Sequence, residues 1–591
     1  MKNKLEILNI KNILFIILLI FFLEIRVYNL DADIPAWGIV NYQPMDEGQY
    51  ATMALNKINN NTFRLDVYNG VDFMTSAHIR NNLIGNLSVY LGLVLLGDNY
   101  YGLRISSVVW GLLNYFLFAL ILKNLREKYG NGRNKWSKSL YLAILGIFLI
   151  DFVYLVASRT VETSIYRMFF LQLIIFIFTK CNQSSLYEQK VRFLIIGFLS
   201  VLSIFAVYIT NLFIFLAMLI TIVIYGIWNG KKCFFNSLIS FAAGAGIAYV
   251  LCDMYYNFIW GTSCLVNTMQ IISDFSGTSG YTGGNNVAAL LGLMVHFFSA
   301  NSNLYNIGIL LGFLLVLPYF IKRIVTTKNI NVFFIASTIL SLLIQTFINE
   351  DYIVRKYIMI YPSIIYLLYY MLISSPFEDV KNFYNKHMVL KTIYSMCCLG
   401  LCLMIIMYRL FWNENETYKD FEFMDKSVII FQILITILVW SIFVLTMYKR
   451  SINNRICVSV MVIMIMVLSV FTNAYFDIKY VFNYKSYTEK EAMLAIGEKV
   501  GNEYVYGVYS IAFTLYNDIK PVVNTYNVMG EDIEKTNVKW YLDYSDFSFP
   551  SEVLGSGKKK WIEKEKYNRN FSTFGTKRDI SLYKITKKIY R

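Results

Sequence analysis

The chain has 591 residues, 57% of them hydrophobic and only 16% charged, and a net charge of +15. Soluble chains carry about 25% charged residues, and apolar stretches of about 20 residues recur here too often to hide in a water-soluble core, which excludes a soluble enzyme. Three His and eight scattered Cys, none beyond Cys457, indicate neither a structural zinc site nor a disulfide scaffold.

Met1-Lys2-Asn3-Lys4 leads into an apolar segment from Ile13 to Leu23, and no small-x-small cleavage site precedes Glu24 and Arg26, so the segment reads as a retained first helix. A large connecting segment runs from Asp31 to about Tyr101. Apolar runs of spanning length follow at 103–123, 139–156, 163–179, 191–207, 209–228, 236–256, 304–322, 331–348, 354–373, 392–412, 427–447 and 456–475; with the first, they predict about thirteen transmembrane helices. Within the seventh, Ala242-Ala243-Gly244-Ala245-Gly246 has Tyr249 where a nucleotide loop would need its third glycine, and it reads as close helix packing.

Cytoplasmic loops near helix ends retain Lys and Arg during insertion. With the N-terminus inside, every predicted inner loop is basic, as at Lys123, Arg126 and Lys128 or at Lys449, Arg450 and Arg455, whereas Asn257 to Asn303 contains neither Lys nor Arg. The positive balance therefore marks the inner membrane face, with anionic lipid as its partner and no nucleic acid. An odd helix count places the tail outside. The expected fold class is an all-α polytopic membrane protein over 1–475 with outer loops 31–101 and 257–303, followed by a small C-terminal extracytoplasmic α/β domain over 476–591. In that tail, a helix-like run at Thr488 to Val500 alternates with β-like runs at Glu503 to Tyr509, Val538 to Tyr544 and Ile580 to Ile585. Gly277 to Asn286 has turn chemistry and reads as a loop able to close over a substrate.

Four charged clusters fall on the predicted outer face. The first is Pro44-Met45-Asp46-Glu47-Gly48-Gln49-Tyr50, opening an interfacial helix with apolar spacing at Tyr50, Met53, Ala54 and Ile58. The others are Asn99-Tyr100-Tyr101-Gly102-Leu103-Arg104 at the start of the second helix, Ser158-Arg159-Thr160-Val161-Glu162 in a short loop, and Glu350-Asp351 with Arg355-Lys356-Tyr357 and Pro362. Each also has a structural reading. Asp46 with Gln49 fits a helix cap, Arg104 can snorkel to headgroups, Arg355 and Lys356 can anchor against Glu350 or Asp351, and Glu162 can neutralise Arg159 at i, i+3 spacing. Charges at the hydrocarbon boundary are costly and face a cavity or a partner, so four clusters on one side point to a polar site.

This arrangement resembles the GT-C glycosyltransferases of the protein O-mannosyltransferase and aminoarabinose transferase type, which use polyprenyl-phosphate sugars as donors. The matching pieces are the Asp46-Glu47 pair, the Arg104-led helix, the Arg159-x-x-Glu162 loop and the Lys356-Tyr357-x-x-x-x-Pro362 helix start. The resemblance implies the GT-C fold and a glycan, lipid or protein acceptor. It departs at Ser76 to Asn82, where several relatives carry Pro-Pro-Leu, and this leaves the acceptor class open.

Transfer from a lipid-phosphate sugar needs a carboxylate to take the acceptor proton and cations to stabilise the departing phosphate. Asp46 is the candidate base, with Glu47 as second acid. Arg355 and Lys356, then Arg104 and Arg159, are candidates for the donor phosphate, because Arg gives a two-pronged contact and Lys a point charge. Glu162, Tyr50 and Tyr357 are candidate substrate contacts. The paired acids also admit a divalent cation, Mg or Mn, although phosphate-facing cations make one dispensable. The alternative is a transporter or flippase for lipid-linked sugars, whose cavity would need similar charges. Abundant Lys, Asn, Ile and Tyr suggest an AT-rich bacterial source and a cell-envelope role.

Overall fold

Each of the thirteen apolar runs coincides with a helix. The computed structural model describes residues 10–33, 44–63, 82–130, 135–180, 186–269, 307–349, 358–374, 377–386, 388–412, 426–448, 454–483, 486–507, 510–522, 538–544, 561–573 and 576–587. In chain order the helices are α1 (Ile10–Val27), α2 (Pro44–Asn60), α3 (Leu83–Leu96), α4 (Tyr100–Tyr129), α5 (Lys135–Leu149), α6 (Phe152–Ala157), α7 (Thr163–Lys180), α8 (Leu186–Ala206), α9 (Leu212–Asn229) and α10 (Lys231–Trp260). They continue as α11 (Ile307–Thr327), α12 (Ile330–Asn349), α13 (Ile360–Ser374), α14 (Phe377–Asn385), α15 (Met388–Trp412), α16 (Lys426–Tyr448) and α17 (Asn454–Asp477). Among the described residues, nine helices are long and apolar enough to cross a bilayer, or up to ten if one bent pair is counted as a single span. Their outward faces carry bare apolar side chains, such as Ile227 at 70% and Phe258 at 87% exposure, as a lipid-facing surface requires. The protein is a multi-pass membrane protein.

Two expectations need correction. The run at 139–156 is two helices, because Asp151 stops α5 and caps α6, accepting the Tyr154 N–H at 2.9 Å. Within the long segment expected as an outer loop, 83–96 is an apolar helix, started by the Asn82 side chain accepting from Gly85 N and closed at Gly97. The turn-rich stretch 277–286 lies outside the described residues. Close packing around Gly244 holds as expected: a Cβ there would lie 2.9 Å from the Phe198 amide of α8.

The C-terminal part opens with α18 (Thr488–Val500), as the sequence predicts, and continues into a mixed sheet of β1 (Tyr504–Tyr506), β2 (Lys520–Val522), β3 (Trp540–Tyr544), β4 (Trp561–Thr573) and β5 (Thr576–Lys587) in the order β2-β1-β3-β5-β4. β1 runs parallel to β2 and β3, and β5 antiparallel to β3 and β4. The expected β-like runs correspond to β1, β3 and β5; β2 and β4 are additional. Two buried clusters organise the molecule. One fills the helix bundle. The other joins Tyr50, Ala51 and Ala54 of α2 and Val89 and Leu93 of α3 to Val500, Phe513, Trp540 and Leu542, so α2 lies between the bundle and the C-terminal domain.

Candidate active site

α2 starts at Pro44, whose fixed φ suits the first helical position, and carries two acids in its first turn, where the helix's positive end favours negative charge. Glu47 is 2% exposed. Its carboxylate meets Arg104, one turn into α4: Nη2 donates to Oε2 at 2.7 Å and Nε to both oxygens at 3.0 and 3.1 Å. Arg104 Nη1 donates to the carbonyls of Leu30 and Ala32 at 2.9 and 2.5 Å, and its guanidinium lies 3.9 Å from the centre of the Tyr100 ring. Glu47 Oε1 also accepts the Val161 N–H at 2.9 Å. One ion pair thus ties α2, α4, the segment after α1 and the turn between α6 and α7. Three of the four charged clusters converge there.

The remaining predicted residues fall as follows. Arg159, 5% exposed, donates from Nη1 to the carbonyls of Ile25 and Arg26 and from Nη2 to that of Asn29, closing the end of α1. Burial, with Arg104 and Arg26 nearby, pulls its guanidinium down to about 9. Glu162 begins α7, accepting from Ser164 N at 2.8 Å and Thr163 Oγ1 at 3.1 Å. Tyr50 is packed between α2 and α3, its hydroxyl accepting from Asn82 Nδ2 at 2.9 Å. Asp46 sits in the first turn of α2, but its side chain lies outside the described residues, as do Arg355, Lys356 and Tyr357 entirely. Close to Arg104 and Glu162, the Ser107, Ser164 and Tyr166 hydroxyls are buried, Tyr166 beside Ser106 and Ser107, and the Ser164 hydroxyl has no hydrogen-bond partner among the described residues. An orphaned buried hydroxyl is costly, and a polar ligand would satisfy it. Among the described residues no three His, Cys, Asp or Glu gather to hold a metal ion.

Two residues escaped the sequence reading, Asp33 and Glu489, and Tyr100 was named there only as part of the Arg104 cluster. The Tyr100 hydroxyl donates to Glu489 Oε2 at 2.9 Å. Asp33 accepts the Thr488 and Glu489 amides through Oδ2 and Oδ1 at 2.9 and 3.1 Å, and the Thr488 hydroxyl at 2.8 Å. The signal was faint: Ser486-x-x-Glu489 has the form of a local capping box, yet the cap arrives from residue 33. On the other side of α2, Gly48 lets the chain at 511–512 approach so closely that a Cβ would lie 2.7 Å from the Ala512 Cα.

No family model and no curated protein matches the sequence. Among solved structures the chain is similar to ArnT from Cupriavidus metallidurans in the apo state, with a TM-score of 0.53 and 10% identity over 97% of this chain and 98% of that one. The same protein bound to undecaprenyl phosphate gives a TM-score of 0.50 and 10% identity over 96% and 97%. An oligosaccharyltransferase from Archaeoglobus fulgidus tethered with an acceptor peptide is more distant, with a TM-score of 0.46 and 10% identity over 90% and 68%. The likeness to ArnT is one of fold, and it makes the architecture the GT-C fold expected from the motifs.

Proposed function

We propose that the protein is a membrane glycosyltransferase that moves a sugar from a polyprenyl-phosphate donor to an acceptor hydroxyl on the extracytoplasmic face. The observation that carries this reading is the Glu47–Arg104 pair, which draws the acidic start of α2, the Arg104 helix and the 158–162 turn into one buried polar corner. The fold adds support, since a protein of this architecture holds undecaprenyl phosphate. A lipid donor also accounts for sugar chemistry in so apolar a chain: the prenyl tail stays in the bilayer while its head reaches the corner.

In this mechanism Asp46 takes the proton of the acceptor hydroxyl. The acceptor oxygen forms a bond to sugar C1 as the C1–O bond to phosphate breaks, and polyprenyl phosphate leaves with that electron pair. Arg355 and Lys356 stabilise the departing charge. Arg104, whose donors go to Glu47 and two carbonyls, acts by fixing Glu47 beside Asp46, and Arg159 by holding the end of α1 against the same turn. The Ser164 hydroxyl, beside Glu162, is the group placed to meet a sugar or acceptor hydroxyl. Glu47 is already surrounded by donors, and this reading assigns the neutralisation of the phosphate to Arg and Lys cations rather than to Mg or Mn.

The test uses purified protein in lipid vesicles with a panel of polyprenyl-phosphate pentoses and hexoses, and follows release of polyprenyl phosphate and formation of the glycoside. Asp46→Asn should insert and fold normally while transfer falls by at least about a hundredfold, the scale of a lost general base. Full transfer by that variant would remove the central assignment.

A further inference from the structure

One of the contacts that join the C-terminal domain to the candidate site runs through the start of α18. Asp33, in the segment after α1, receives the start of α18: beyond the amides of Thr488 and Glu489, its own N–H donates to the Ser486 carbonyl at 2.8 Å. The carboxylate therefore caps a helix 455 positions later in the chain. Glu489 comes next and points inward, 1% exposed. Its Oε2 accepts from the Tyr100 hydroxyl, and its Oε1 has no hydrogen-bond partner among the described residues. The Tyr100 ring carries the Arg104 guanidinium on its face, and Arg104 grips Glu47. An unbroken series of contacts runs from α18 to the acid next to Asp46.

We propose that Glu489 is a positioning residue for this site, acting through Tyr100: it fixes the ring against which Arg104 packs, and so the placement of Glu47 and the start of α2. The proposal rests on the transferase reading of the same corner. A small domain gains nothing in stability from a carboxyl buried at its edge, because removing such a group from water is costly unless it is paired or neutral. Four groups face it from three other elements: Asp33 after α1, Glu47 on α2, and Tyr100 and Arg104 on α4. Burial first, and Asp33 second, raise the Glu489 carboxyl from 4.5 to about 8, so it is protonated at neutral pH.

The sign follows from proton counting. Between pH 4.5 and about 8 the docked carboxyl holds a proton that an undocked one has lost. Docking is therefore favoured most below pH 4.5, weakens as pH rises to about 8, and changes no further through this group above that. Above about pH 8 the docked group is a carboxylate facing two other acids, and its hold on Tyr100 and Arg104 changes.

The experiment compares full-length wild type, Glu489→Gln and Glu489→Leu in vesicles across pH 6 to 9.5. If the protonated form is the competent one, wild-type kcat should fall about tenfold from pH 7 to 9, as the protonated share drops from about ten elevenths to about one eleventh. Glu489→Gln cannot ionise and should keep its own pH 7 rate at pH 9. Glu489→Leu should lower kcat at every pH more than it raises KM, because it releases the Tyr100 hydroxyl. Coinciding alkaline limbs for wild type and Glu489→Gln would overturn the proposal. A second readout is independent of turnover: hydrogen exchange at Tyr50–Ala54, corrected for intrinsic rates, should quicken above pH 8 in wild type and not in Glu489→Gln. An alkaline shift in exchange with no transfer from any donor would retain the Glu489 contact and sink the transferase reading. Transfer with identical exchange profiles in the two proteins would do the reverse.

Discussion

The Glu47–Arg104 pair can be broken from either side, and the structure sets the size of the effect. Both side chains are 3% exposed, and three N···O contacts of 2.7–3.1 Å join them, so this pair lies far from the exposed regime in which ion pairs contribute about 0–1 kcal/mol. Arg104→Met leaves a buried carboxylate with the Val161 amide as its remaining donor in the group described above. Glu47→Met leaves a buried guanidinium facing the Leu30 and Ala32 carbonyls. Removing one partner of a buried pair costs about 3–5 kcal/mol, because the other charge stays desolvated and uncompensated. The double variant removes both charges and should be destabilised by less than the sum of the singles, with a coupling of about 2–3 kcal/mol. Arg104→Lys keeps the charge without the fork and should recover no more than about half of the Arg104→Met loss. Denaturant unfolding of the full chain in detergent, followed by Trp fluorescence, measures each value. Singles costing under about 1 kcal/mol, or single effects that simply add, would refute the buried-pair reasoning.

Two further variants test how α2 is held from its other side. Gly48→Ala should favour the helix by about 1 kcal/mol on propensity alone, yet its Cβ would meet the Ala512 backbone, so a net loss of about 1–3 kcal/mol and faster proteolysis within 500–522 are expected. Asp33→Ala removes the distant cap of α18 and should cost about 1 kcal/mol, read as faster amide exchange at Thr488 and Glu489, with Asp33→Asn retaining part of the protection.

What was legible in the sequence is what depends on local patterning. Every apolar run is helical, because a chain in hydrocarbon must satisfy its backbone within each span, although 139–156 divides into two helices. α18 matches its expected bounds because an apolar period of 3.6 ends at Gly501. Local signals that were present were outweighed. The run at 83–96 is shorter than a membrane crossing and so read as loop, although Asn82 and Gly97 mark its ends. Asp151 in an apolar run was absorbed into a span when it is a cap. The contacts that build the site were not legible at all. Glu47 meets Arg104 57 residues away, and Arg159 reaches carbonyls more than 129 positions upstream when its sequence neighbour Glu162 was the obvious partner. A single sequence shows which residues carry charge at the membrane boundary, but not which carbonyls or carboxylates they meet.

The geometry of α2 turns these separate contacts into one argument about Asp46. Successive residues of an α-helix are displaced by about 100° around its axis. Glu47 faces the bundle, where Arg104 takes it, and Gly48 faces the C-terminal domain, where the 511–512 backbone covers it. Position 46 then falls about 100° from the first face and about 160° from the second, on the side that neither contact occupies. Tyr50 and Met53, one and two turns on along that side, are buried, so the division between residues 46 and 47 rests on the Glu47 pair: substitutions at 47 should act on stability and on activity together, while Asp46→Asn should act on transfer. Parallel losses of stability at both positions would mean that the acidic pair is structural throughout, and the base would have to be sought elsewhere.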